Sequence, residues 1–80
     1  MEPRLHDLSW RAMNYLLDWD RAALEQMAFD LSVSPGALRF ALLRCWLACL
    51  TQQPRQDVWE LTNKGERWMT EARRERKAGV

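Results

Sequence analysis

The stretch Leu31-Ser32-Val33-Ser34-Pro35 constrains the fold more than any other part of the sequence. Apolar residues recur at helical spacing on both sides of it: Leu24, Met27, Ala28 and Leu31 precede it, and Leu38, Ala41, Leu42 and Cys45 follow. Ser34 followed by Pro35 reads as the N-cap and first residue of a new helix, where a hydroxyl accepts from a free backbone N–H and proline's missing donor costs nothing. A second and a third helix are therefore separated by the short turn Ser32 to Ser34.

The other elements fall into order around this pair. Asp7 can cap a first helix from Leu8 to about Asp18, with Leu8, Ala12, Tyr15 and Trp19 on one stripe that Trp10, Met13, Leu16 and Leu17 widen. A stripe that broad predicts contact with two neighbours. Asp20 is placed to cap the second helix, with Trp19 and Leu24 as a hydrophobic staple, and that helix ends near Leu31. The third helix is expected from Pro35 to about Cys49. The polar segment Thr51 to Gln56, which contains Pro54, reads as a turn. Asp57-Val58-Trp59-Glu60-Leu61, with Trp59 and Leu61 alternating, reads as a half-buried strand of a two-stranded hairpin. Thr62 or Asn63 caps a last helix, with Asn63 and Glu66 forming a capping box and Leu61, Trp68, Met69 and Ala72 facing inward. The charged end, Arg73 to Val80, is expected to fray.

Eighty residues suffice for one domain with a modest core, so a function has to sit on the surface of a single fold. With 48% hydrophobic residues and five tryptophans, the chain is too apolar to stay disordered. A formal net charge of +1 gives no overall attraction to phosphate, so nucleic-acid contact must come from local patches. Glu2, His6 and Asp7 leave no apolar run for a secretory signal. The most apolar stretch, Ala37 to Leu50, is interrupted by Arg39 and Arg44 and is too short to span a bilayer. A cytoplasmic protein is expected. Cys45 and Cys49 lie on one predicted helix, a placement unsuited to a structural disulfide, and are expected to be reduced, packed thiols.

The order helix, helix, three-residue turn, helix, hairpin, helix is that of winged helix domains, mainly α with a small β-hairpin. Leu24 to Leu50 resemble the helix-turn-helix of MarR- and PadR-like bacterial transcriptional regulators. Ala28 stands where the two helices cross, Leu31 precedes the turn, Val33 lies in it, and Leu38 with Ala41 or Leu42 anchors the following helix. The run Trp59-Glu60-Leu61-Thr62-Asn63-Lys64-Gly65-Glu66-Arg67-Trp68 is similar to the strand-to-helix junction of those families, where Leu-Thr, one residue, then Lys-Gly opens the last helix. The resemblance covers residues 20–70 and implies a helix-turn-helix over about 20–50, a wing over about 50–61 and a C-terminal helix over about 63–76. Ser32 stands where a glycine is usual, which suits the turn if its backbone keeps out of the left-handed region. The wing is brief, and Arg55 is its one charge suited to phosphate or a minor groove.

The resemblance implies that the third helix enters the DNA major groove, with Ser34, Pro35, Gly36, Arg39, Phe40 and Leu43 toward base edges, Arg44 at the flank and Arg55 on the wing. Arg39 can donate two hydrogen bonds to guanine or grip a phosphate. The partner is then double-stranded DNA, and a homodimer is expected because one such domain makes few contacts. The same helix supports another reading, since its outward side carries Phe40, Leu43, Trp46, Leu47 and Leu50 where related regulators place Lys, Arg and Glu. Trp46, Leu47 and Leu50 fit beneath the first helix and the wing strands, whereas Phe40 and Leu43 are harder to hide. A winged helix adaptor would use Phe40, Leu43, Trp46 and Leu47 as a protein interface.

Nothing in the chain assembles a catalytic or metal constellation. His6 is the sole histidine and lies near the terminus, so no His-Cys metal site or His-activated nucleophile is indicated. Three glycines make no phosphate loop, and Asp18 and Asp20 read as helix-end residues. Neither enzymatic activity nor a cofactor is expected. Arg73, Arg74, Arg76 and Lys77 read as a solvated helix end or as an extension that touches phosphates.

Overall fold

The computed structural model describes residues 7–78. Its elements are α1 (Asp7–Trp19), β1 (Arg21–Ala23), α2 (Leu24–Leu31), α3 (Pro35–Leu47), β2 (Thr51–Arg55), β3 (Val58–Leu61) and α4 (Asn63–Ala78). The expected order of helices and hairpin holds, with one strand added ahead of α2. That strand displaces the cap predicted at Asp20. Asp20 lies in the left-handed region at φ 73 and donates its N–H to Leu16 O at 2.9 Å, so it closes α1 instead of opening α2. Arg21–Ala23 then pairs antiparallel with β3, Ala22 opposite Trp59. Helix α2 starts after Ala23, which offers no side-chain cap; the Leu24 N–H is satisfied across the molecule by Asp57 O at 2.7 Å. Trp19, expected to staple Leu24, is exposed. Sheet pairing satisfies these backbone groups at both ends, which a lone carboxylate cap would not.

The turn between α2 and α3 is where the sequence expectation fails most plainly. Ser32 sits in the left-handed region, φ 57 and ψ 46. Its N–H bonds Phe29 O at 3.2 Å and the Val33 N–H bonds Ala28 O at 3.0 Å, the paired bonds that close a helix C-terminus. They offset a left-handed penalty of about 1–2 kcal/mol for a residue with a Cβ. Ser34 caps α3 as expected, its Oγ accepting from Ala37 N at 3.2 Å, with Pro35 at the first position.

Helix α3 stops at Leu47, short of Cys49, by the same device. Cys49 is left-handed at φ 62, and its N–H bonds Trp46 O at 2.9 Å while Leu50 N–H bonds Cys45 O at 2.9 Å. The turn reverses two expectations: Cys49 is exposed rather than packed, and Leu50 swings into the core. Ala48, just past the end of the helix, is exposed as well.

Thr51 to Arg55, read as a turn, is strand β2, and the sheet is three-stranded in the order β1-β3-β2. The register between β2 and β3 shifts between Gln52 and Arg55, a bulge on the edge strand where Pro54 loses no needed hydrogen bond. The cap of α4 is Thr62, whose Oγ1 accepts from Gly65 N at 3.0 Å. The box expected from Asn63 and Glu66 does not form, because Thr62 already serves the first turn. Arg73, expected to fray, is held by α1: its Nε donates to Asn14 Oδ1 at 2.7 Å and its Nη2 to Asp18 Oδ1 at 3.0 Å. His6 and the side chains of Arg76 and Lys77 lie outside the described residues.

The core joins Ala12, Met13 and Leu16 of α1, Leu24, Met27 and Ala28 of α2, Leu38, Leu42 and Cys45 of α3, Leu50, Trp59 and Leu61 around the sheet, and Met69 of α4. The broad stripe of α1 is used in full, since α1 packs on α2, α3, α4 and β3. Leu31, expected inside, is half-buried at the edge of this cluster.

Candidate nucleic-acid interface

Two devices fix how α3 is presented. Its N-terminus is set by the Ser32 turn and the Ser34 cap. Its C-terminus is gripped by the segment that opens α4: Thr62 Oγ1 donates to Cys49 O at 2.6 Å, Lys64 Nζ donates to Ala48 O at 3.3 Å, and Thr62 N–H donates to Leu50 O at 3.0 Å. A Cβ on Gly65 would lie 2.0 Å from that Leu50 carbonyl oxygen, so only glycine fits. The Leu-Thr-x-Lys-Gly run is thus a clamp on the end of α3. Thr51 adds a further tie, its buried hydroxyl donating to Leu42 O at 3.0 Å.

Held this way, α3 buries Leu38, Ala41, Leu42 and Cys45 and turns its other side outward. Ser34, Pro35, Gly36, Arg39, Phe40, Leu43 and Arg44 are all exposed, and nothing lies within 4 Å of a Cβ built on Gly36. Phe40, Leu43, Trp46 and Leu47 are 65%, 42%, 52% and 75% exposed and follow helical spacing along one side. The expected cover for Trp46 and Leu47 is therefore lacking; of that group Leu50 alone is buried, because the chain leaves the helix axis at Cys49. A shallow groove between α3 and the wing is lined by Leu43, Trp46, Gln53 and Trp59. The Trp59 indole N–H is buried with no hydrogen-bond partner among the described residues.

The wing stays close to the body. Strands β2 and β3 are joined through Gln56 and Asp57, and β1 pairs with β3 as far as Val58, so no long loop projects beyond the sheet. Arg55 is exposed at the last position of β2. Asp57, at φ 60, is pinned through its carbonyl to Leu24 N–H and through its carboxylate to α3, where Arg39 Nη2 lies 3.0 Å from Asp57 Oδ1. In the sequence Asp57 reads as the first residue of a strand, which hides this partner of Arg39; the strand begins one residue later, at Val58. The signal was present in Gln56-Asp57, two turn-compatible residues between two extended runs.

Away from α3 the polar groups serve the packing of helices. Tyr15 on α1 donates to Asp30 Oδ2 on α2 at 2.5 Å, and that bond, with some burial and the Asp30 charge, pushes the phenol up to about 12. Burial likewise raises the Cys45 thiol. Among the described residues no cluster of His, Cys, Asp and Glu could hold a metal ion, and no helix is long and apolar enough to cross a membrane.

The sequence matches no protein-family model and no curated protein. Solved structures do match. A double mutant of Lactococcus lactis ZitR aligns with 96% of this chain at 20% identity and a TM-score of 0.86. NadR in complex with 4-hydroxyphenylacetate aligns with 92% at 22% identity and 0.77. T. acidophilum IdeR aligns with 85% at 14% identity and 0.64. The chain spans little more than half of the first two, 56% of ZitR and 59% of NadR. With four helices and a three-stranded antiparallel sheet among the described residues, and with these neighbours, the chain has the winged helix-turn-helix fold.

Proposed function

We propose that this chain is a DNA-binding domain of a transcriptional regulator, acting as a homodimer in the cytoplasm with no catalytic activity of its own. The observation that carries the reading is the outward-facing side of α3, with Ser34, Gly36, Arg39, Phe40, Leu43 and Arg44 exposed on the second helix of a helix-turn-helix. In that geometry helix-terminal N–H groups and arginines meet phosphates and base edges. The apolar members fit the same role, because Phe40 and Leu43 can pack on thymine methyl groups. Arg44 and Arg55, on either side, suit phosphate. Titration of labelled duplexes at several salt concentrations tests it: log affinity should fall with log salt, and Arg44→Ala or Arg55→Ala should each reduce that slope by about one. Binding that ignores salt, or no binding to any duplex, would refute the reading.

A second reading is favoured by Trp46 and Leu47, which lie further along α3 and are as exposed as the groove-facing residues. Phe40, Leu43, Trp46 and Leu47 together form an apolar surface suited to a protein partner. Leu47→Glu separates the two, because Leu47 is exposed and lies outside the DNA-facing set: it should abolish association with a protein, measured by sedimentation, while the helical signal and duplex binding are kept.

A further inference from the structure

We infer that Arg39 and Asp57 act as one base-reading unit that selects a G·C pair; the inference rests on the DNA-binding reading above. Arg39 Nη2 donates to Asp57 Oδ1 at 3.0 Å, across eighteen residues of sequence, and both side chains stay about half exposed. A guanidinium has five N–H donors, so this bond leaves most of them facing solvent, and Asp57 keeps acceptor capacity on its other oxygen. The pair therefore presents donors next to an acceptor at the outer surface of α3. In the major groove a G·C pair shows two acceptors, N7 and O6 of guanine, followed by the N4 donor of cytosine. The donor and acceptor order of the Arg39–Asp57 pair is the complement of that edge.

The carboxylate is held as firmly as the arginine. Asp57 sits in a tight turn at φ 60, and its own carbonyl is bound to Leu24 N–H at 2.7 Å, so the wing tip is fixed to the start of α2. Arg39 projects from a helix capped at one end and clamped at the other. A guanidinium fixed from the side loses less freedom on meeting a base than a free one. The carboxylate also repels phosphate, which steers Arg39 away from the backbone and toward base edges. Sequence information thus comes from a wing residue that carries the wrong charge for ordinary DNA contact.

Selection from a randomised duplex library, at one fixed salt concentration and with purified full chain, tests this. Asp57→Gly removes the carboxylate and suits a positive φ, so the turn is kept; Asp57→Asn, which also tolerates that conformation, removes the charge alone. The wild type should enrich a motif containing an invariant G·C pair, with replacement of that pair costing about tenfold in affinity. In Asp57→Gly and in Arg39→Ala the preference should vanish at that same position and persist elsewhere. Asp57→Asn should bind unselected DNA more tightly than the wild type. If Asp57→Gly selects the wild-type motif at full strength, or if the two variants lose different positions, the unit does not exist although the protein binds DNA. If the wild type retains no duplex, the DNA-binding reading itself falls, and the unit with it.

Discussion

Helices α3 and α4 each bury one side against the same core, and their outer sides could hardly differ more. Helix α4 turns Gly65, Met69 and Ala72 inward and shows solvent Lys64, Glu66, Arg67, Thr70, Glu71 and Arg74. Helix α3 turns Leu38, Ala41, Leu42 and Cys45 inward, yet shows solvent Phe40, Leu43, Trp46 and Leu47 between its arginines. Burial within the domain accounts for the inward apolar residues of both helices but for none of the outer ones on α3. Exposed apolar area of that kind lowers solubility and is kept where a second molecule covers it. The contrast sets the outer side of α3 apart from that of α4 without reference to any relative.

The sharpest way to probe the contrast is at the glycine near the start of each helix. Gly65→Ala would put a Cβ 2.0 Å from the Leu50 carbonyl oxygen, a backbone atom that cannot step aside, so α4 would have to leave its seat. The cost should exceed the ~1–3 kcal/mol of ordinary overpacking and abolish a cooperative thermal transition. Gly36→Ala meets nothing within 4 Å and should raise the melting temperature slightly through helix propensity. A folded Gly65→Ala protein with an unchanged melting temperature would mean that α4 does not clamp α3.

The two sides of α3 can be set against each other next. Leu42 is fully buried, and Leu42→Ala should cost about 2–5 kcal/mol in chemical denaturation. Leu47 is 75% exposed, and Leu47→Ala should change stability by less than about 0.5 kcal/mol. A large loss at Leu47 would show that the outer stripe packs inside the molecule in solution, and the comparison would collapse.

This division shows what the sequence could and could not reveal. The helix-turn-helix was legible because its determinants are local: Ser34-Pro35 caps and starts α3, and the apolar spacing of Leu24, Met27 and Ala28 marks one buried side. The capping segment Leu61-Thr62 and Gly65 was legible for the same reason. What escaped were pairings between distant segments. Arg21–Ala23 has no strand pattern of its own and becomes β1 only because β3 offers it a partner. Ser32 and Cys49 take left-handed backbones because the bonds closing α2 and α3 demand them, against their residue preference. At the candidate interface the exposed arginines and Phe40 were readable from helix position, whereas the Arg39–Asp57 contact depended on where the hairpin tip came to rest.

Polar seams extend the comparison at smaller energies. Arg73 ties α4 to α1 through Asn14 and Asp18, so Arg73→Ala should cost about 1 kcal/mol, read from the denaturation midpoint. The Tyr15–Asp30 bond between α1 and α2 gives a pH signature. Since folding raises the Tyr15 pKa from 10.0 to about 12, its contribution is fully present below about pH 10 and is lost as the pH climbs through about 12. Tyr15→Phe should flatten the fall in stability over that window; an unchanged slope would mean the bond is not kept in solution.

The smallest expected effect is the most informative about α3. Arg39 and Asp57 are each about half exposed, and a pair in that setting gains little Coulomb energy because water screens it and two side chains must be ordered. Arg39→Ala should therefore change stability by less than about 0.5 kcal/mol, below the loss at Arg73 on α4, even though both arginines make an ion pair at 3.0 Å. Arg73 differs in holding a second helix through added bonds to Asn14, one of them to its side chain at 2.7 Å. A loss of about 3 kcal/mol or more at Arg39, the scale of a broken buried pair, would make the pair a structural brace, and the fixed orientation of its guanidinium would then need no role in recognition. A negligible loss leaves the pair without a structural purpose, as the outer apolar stripe is, and assigns both to the same surface.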